Sequence, residues 1–361
     1  MNGNGIDPQT FSDEMAARLG VQMPPPKAEA SSGPIVFRSL HEILKAPTQV
    51  NWLLRGILEE LVIAVVAGRR GTFKSVIVLH WLMTLALRGV PVFMVSAEGA
   101  GLARRIEAWL KVHAPDVQAA SLPFYVHEQR VDFNDPLVLA KVRAAITESS
   151  MEPDVLAIDT FSKNSGALDE NSNVDVKRFI GGLDTGIRTP LGLTVILVAH
   201  TGHGDQTRVR GASAIEADTD AALIVNRIGL EHVVTVDRNR FKDAAEMPPL
   251  VYQVEVINLG RVDDEGQPVS SVIVREADRE TQQAATRKKP TGKAQHAILR
   301  ALLNRQAESK PMLIWTLDDL RKIGRDLGQG KGTARSAVEG LVCSGFLTPT
   351  VGGHRLADGA A

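Results

Sequence analysis

Seven consecutive apolar residues, Leu61-Val62-Ile63-Ala64-Val65-Val66-Ala67, run directly into Gly68-Arg69-Arg70-Gly71-Thr72-Phe73-Lys74-Ser75 and then into a second, helix-length apolar stretch. A continuous apolar run of that length reads as a strand buried on both faces, and the glycines behind it end the strand and open a helix. Such a junction aims several backbone N–H groups, the positive end of the helix dipole and a Lys at one point. That point suits a polyphosphate. In the pattern G-x-x-x-x-G-K-[ST] the Lys reaches the β- and γ-phosphates and the hydroxyl, here Ser75, holds Mg²⁺. The candidate nucleotide-binding segment is therefore Gly68, Arg69, Arg70, Gly71, Thr72, Phe73, Lys74, Ser75 and Val76. One position departs from the pattern, because Phe73 stands where the second Gly is expected. The bland alternative, a solvated Lys-Ser helix start, stays open on this octet alone.

The rest of the chain supplies two carboxylates and a histidine at matching places. Residues 90–96 form a second apolar strand followed by Ala97-Glu98-Gly99-Ala100-Gly101. An acid at the carboxyl end of a strand beside a phosphate loop lies where ligands bind in open α/β sheets, so Glu98 is the candidate general base for water. An exposed turn acid is the competing reading. Pro153-Asp154-Val155-Leu156-Ala157-Ile158-Asp159 is an apolar strand ending in a carboxylate, which delivers Asp159 to the metal beside Ser75. A further strand, residues 193–199, ends in His200-Thr201-Gly202-His203. No Cys cluster or third ligand accompanies the two histidines, so His200 reads as a contact to the γ-phosphate or its water rather than a metal ligand. Strands alternate with helices around residues 76–87, 102–112, 136–149 and 176–185, with further strands at 122–127, 221–226, 232–237 and 250–256. This predicts an α/β fold with a mostly parallel sheet. Trp52 is expected as a packing anchor ahead of the first strand, and two polar loops, 161–175 and 204–211, lie over the sheet's carboxyl edge.

Composition narrows the class. With 361 residues, 44% of them hydrophobic and 23% charged, the chain can bury one large α/β core and a smaller second domain. No run approaches a membrane span and the start lacks a basic n-region and an apolar h-region, so the expectation is a cytoplasmic protein without a membrane partner. The lone Cys343 forms no internal disulfide and reads as a small buried hydrophobe. The net charge of −1 conceals an asymmetry, because residues 284–361 hold 13 Lys/Arg against 6 Asp/Glu, giving +7 there and −8 elsewhere. Polyanion contacts outside the nucleotide site are thus expected at the C-terminus.

The expected organisation is a flexible arm at 1–35, a catalytic domain at 36–276, a linker at 277–292 and a small domain at 293–361. In the last, three helices and a short strand pair follow one another in the order of a winged helix. Its third helix, opening near Lys331 and Arg335, is the one that enters a DNA groove in a helix-turn-helix module, although winged helices also bind protein.

Phosphate loop, Ser-Ala-Glu-Gly after the next strand, the strand ending in Asp159, the strand ending in His200, Arg-Gly-Ala-Ser after a loop, and Arg240-Phe241-Lys242-Asp243: in this order residues 36–275 resemble the RecA-like, AAA-type P-loop ATPases. Within them the chain looks most like the RepA-type hexameric replicative DNA helicases of plasmids and phages. That resemblance implies a RecA-like core with ATP and Mg²⁺ between subunits of a homo-hexamer, Glu98 as catalytic glutamate, Asp159 on the metal, and His200 as γ-phosphate sensor. It implies Arg240 and Lys242 as cations reaching the neighbour's nucleotide, Arg240 replacing a more usual Lys. It further implies single-stranded DNA in the ring's channel, held by loops carrying Lys163, Arg208 and Arg210, and a replication initiator or primase as partner. The rival readings are a non-unwinding DNA-binding ATPase such as a recombination mediator, a small-molecule phosphotransferase, and a ring that has lost catalysis.

Overall fold

The computed structural model describes residues 37–45, 50–97, 101–149, 151–201, 209, 214–228, 232–241, 247–286, 290, 292–309 and 311–357, the side chains of 239–241 and 283 excepted. The chain divides into two compact units, Met1–Arg275 and Glu276–Ala361.

The first unit is built on a nine-stranded sheet. Its strands are β3 (Ile63–Gly68), β4 (Val92–Ser96), β5 (Phe124–His127), β6 (Val155–Asp159), β7 (Thr194–Ala199), β8 (Ala221–Ile228), β9 (Val233–Phe241), β10 (Leu250–Val262) and β11 (Pro268–Glu276). The spatial order is β11-β10-β9-β8-β3-β7-β6-β4-β5. The six strands from β8 to β5 run parallel, β9 pairs antiparallel with β8, and β10 pairs antiparallel with β9. β3, β4, β6 and β7 are buried throughout their length, as parallel strands covered on both faces must be.

Side chains of each strand alternate between two apolar layers. Ala64, Val66, Val92, Met94, Val155, Ala157, Ile196 and Val198 pack toward α2 (Lys74–Leu87) and α3 (Leu102–His113). Ile63, Val65, Phe93, Val95, Leu156, Ile158, Val195 and Leu197 pack the other way, with α4 (Pro136–Glu148) and α6 (Asn173–Leu183). Asp159 is two residues beyond Ala157 and Ser96 two beyond Met94, so both share the layer of α2. This parity positions the site.

One loop differs from the sequence expectation. The stretch 161–175 is not one open loop, because Phe161–Asn164 forms a short helix, α5, with Phe161 and Asn164 buried, and α6 starts at Asn173. Its polar sequence conceals two buried anchors. A small ribbon, β1 (Trp52–Leu54) with β2 (Leu58–Glu59), precedes the core, and α1 (Leu40–Lys45) precedes that. α7 (Ala214–Asp218) leads into β8. No helix among the described residues is long and apolar enough to cross a membrane.

The second unit contains α8 (Arg279–Thr286), inside the stretch read as a linker, then α9 (Lys293–Ala307), α10 (Leu317–Asp326), α11 (Lys331–Cys343) and the antiparallel pair β12 (Leu347–Thr350) and β13 (Gly353–Leu356). Ile298, Leu302, Leu320, Ile323, Val338, Leu341, Leu347 and Leu356 make its own core. Thr316 and Asp319 form a reciprocal capping box at the start of α10. Cys343, expected inside, is exposed at the end of α11. The apolar face of α11 is used by Ala334, Ala337, Val338 and Leu341, and Cys343 falls off that stripe.

Candidate nucleotide-binding site

The site forms where β3 gives way to α2. Gly68 admits no larger residue, since a Cβ there would lie 2.5 Å from Thr72 Oγ1 and 2.7 Å from the backbone oxygen of Val225. Thr72 closes the turn, its hydroxyl donating to the Arg69 carbonyl at 2.9 Å. Gly71 takes φ of 84° with open space around it, so its requirement is conformational. Phe73 resolves the departure from the sequence pattern: it adopts φ 61° and ψ 20°, the left-handed conformation for which Gly is the usual residue. The loop keeps its path at a cost of roughly 1–2 kcal/mol. Partial recovery comes from the ring, which is half-buried, lies 5.8 Å beneath the Arg227 guanidinium and meets His232 edge-on at 6.5 Å. Neither partner was foreseen, because strand-end residues so distant in the chain leave no local signal.

Phe73 offers no capping oxygen, and the first turn of α2 holds no acid. The helix start is thus open to an anion, with Lys74 buried at its first position. Arg69 and Arg70 are exposed on the loop. Ser75 Oγ donates to Asp159 Oδ1 at 3.2 Å, and Asp159 is fully buried at the end of β6. β7 lies between β3 and β6, and its end is tied to the loop by the Thr201 N–H donating to the Gly68 carbonyl at 3.4 Å. Magnesium takes hard oxygen ligands and keeps several waters, and a hydroxyl and a carboxylate meeting at the mouth of an anion site are of that chemistry. Ser75 and Asp159 would hold the ion, which supplies charge neutralisation to the phosphates.

His200 follows β7 directly and is half-buried. Glu98, Lys242, Arg208 and Arg210 lie outside the described residues. Arg240 belongs to β9, opposite Ala222 of β8, and its side chain lies outside them as well. Val209, between the two loop arginines, is buried and bridges to Thr201. Lys163 is not presented on a loop. It sits on α5 and donates to the Ala97 carbonyl at 3.1 Å, because buried Phe161 and Asn164 fold its segment back onto the strand ends. In the second unit Lys331 and Arg335 are exposed at the start of α11, and Arg335 pairs with Glu339 at 2.8 Å. No group of three or more metal-ligating side chains occurs among the described residues.

Residues 30–206 match the family model described as an AAA domain. That segment is similar to the AAA domain family. No curated protein matches the chain. Among solved structures, an isolated ATPase domain is similar at 13% identity and a TM-score of 0.46, over 59% of this chain and 91% of that one. A DnaB-like replicative helicase, described with its interactions with primase, is similar at 11% identity and a TM-score of 0.42, over 54% of this chain and 55% of that one. The RadB recombinase is similar at 12% identity and a TM-score of 0.41, over 61% and 92%. Within residues 30–206, the structure brings together the loop residues 68–76 and Asp159, with His200 next to Thr201 at the adjoining strand end.

Proposed function

We propose that this protein is an ATP-dependent motor on single-stranded DNA, a helicase or translocase of plasmid or phage replication that works as a ring of six. The observation that carries the reading is the 3.2 Å contact of Ser75 Oγ with Asp159 Oδ1 beside Lys74 at an uncapped helix start. Lys74 and the loop amides neutralise the triphosphate, and Ser75 and Asp159 would hold Mg²⁺, which would supply further charge neutralisation to the phosphates. Glu98 takes the proton from the attacking water as the bond to the γ-phosphorus forms and the β–γ bridge oxygen leaves. His200 reports whether the γ-phosphate is present. Arg240 and Lys242 of one subunit reach the nucleotide of the next, so that hydrolysis needs assembly. The linker end and the small C-terminal domain, a winged helix in this reading, together carry the +7 charge of residues 284–361 as a DNA or partner contact, and an initiator or primase loads the ring.

The test is ATP turnover with and without single-stranded DNA. Turnover stimulated by DNA and abolished in Lys74→Ala supports the motor, and unchanged turnover in that variant removes it. A second reading, an ATPase that switches on DNA without unwinding, is favoured by one cation of the expected DNA loops being engaged within the chain: Lys163 donates to the Ala97 carbonyl. Strand displacement on forked DNA separates the two.

A further inference from the structure

Ala97 is held at both of its polar ends by one corner of the fold. Its N–H donates to the Asp159 carbonyl at 3.0 Å, and its carbonyl accepts from Lys163 Nζ at 3.1 Å. Lys163 reaches it from an element with little freedom. Asn164, fully buried, donates from Nδ2 to the Thr160 carbonyl at 2.9 Å and accepts from the Val131 N–H at 2.9 Å. The Asn164 carbonyl accepts from Phe133 at 2.9 Å, and Phe161 packs edge-on against Phe179 at 4.9 Å. The β6–α5 corner therefore grips the end of β4 once through the backbone and once through an ammonium, while Ser96 stays in register with Asp159.

We propose that Lys163 is a positioning residue for ATP hydrolysis: by clamping Ala97, the residue from which the chain runs on to Glu98, it holds the end of β4 in line with the metal-binding end of β6. The inference rests on the ATPase reading above and adds a role that the DNA-contact expectation for Lys163 did not contain. A charged donor is suited to the task because its hydrogen bond to a carbonyl is stronger than a neutral one. Placement matters because a shift of about 1 Å at a reacting group costs on the order of 10²-fold in rate.

The experiment uses the full-length chain. Lys163→Met keeps the stem and removes the donors; kcat for ATP should fall between about 10- and 100-fold with KM for ATP within about 3-fold. Single-stranded DNA affinity and its salt dependence should stay as in the parent protein. Lys163→Arg should recover part of the loss. Lys163→Cys in a Cys343→Ser background, compared before and after alkylation with 2-bromoethylamine, restores an ammonium in protein that is already folded, and so decides the matter even where the Met variant misfolds. Return of turnover on alkylation supports the clamp. Equal turnover in Lys163→Met and parent, no recovery on alkylation, or lost DNA affinity with DNA-independent turnover intact overturns it. A parent protein without ATP turnover would instead sink the ATPase reading itself, so the two failures are distinct.

Discussion

Phe73 shows how a single residue can break a sequence pattern while keeping the geometry the pattern encodes. The position demands φ above zero, which Gly reaches freely, Phe reaches at a cost, and a β-branched residue reaches worst. Phe73→Gly trades the release of that strain against loss of the contact with Arg227, worth about 0.5–1 kcal/mol at an exposed site. Nucleotide affinity should then change by less than about 3-fold, roughly 0.6 kcal/mol. Phe73→Val should lower it at least about 10-fold, since the loop must leave its path to relieve the side chain. Titration with a fluorescent ATP analogue checks both, and a Val variant that binds like the parent would show that the left-handed turn is dispensable. The strand-to-helix turn at residues 68–75 was legible in the sequence because its glycine and apolar signals are local. The role of Lys163 was not, because it depends on Asn164 and Phe161 meeting partners from residues 131, 133 and 179.

At the scale of elements, the helix that carries the phosphate loop is anchored by a cluster of rings. Trp109 Nε1 of α3 donates to His80 Nδ1 of α2 at 2.9 Å, and Trp81 Nε1 donates to the Tyr252 hydroxyl of β10 at 2.9 Å. His113 and Tyr252 face the His80 ring at 5.1 and 5.9 Å. Burial, and then the neighbouring His113, push His80 down to about 4. Folded protein therefore keeps His80 neutral where the unfolded chain, near 6.5, is already taking up a proton. Stability from this group is fully present above pH 6.5, falls as pH drops toward 4, and amounts to about 3 kcal/mol at most. His80→Gln, which still accepts from Trp109, should flatten the fall in urea-unfolding free energy between pH 7 and 4 by up to that amount. Parallel pH curves for the two proteins would remove His80 from the account. The strands around this helix were readable because β3, β6 and β7 are apolar on both faces. β11 and α8 were missed because most of their residues stay exposed or half-exposed, which erases the periodicity that marks an element.

At the scale of the whole molecule, the decisive property of the proposed ring is that each active site draws on two chains. Arg240 is in β9, on the side of β3 opposite to β7, β6 and Asp159 in the strand order. A residue placed across the sheet from its own chain's Ser75–Asp159 site is suited to serve a neighbour's nucleotide in a head-to-tail assembly. Two inactive proteins then carry complementary halves of a working interface. Lys74→Ala lacks the nucleotide grip and keeps the reaching cation, whereas Arg240→Ala keeps the grip and lacks the cation. Mixed in equal amounts and allowed to exchange subunits, one interface in about four pairs an intact grip with an intact cation, so ATP turnover should return to about a quarter of the parent rate. A cis arrangement gives no return at any mixing ratio, because no subunit in the mixture holds both groups. Turnover per subunit in the parent should also climb with protein concentration until assembly is complete, in step with the mass seen by light scattering.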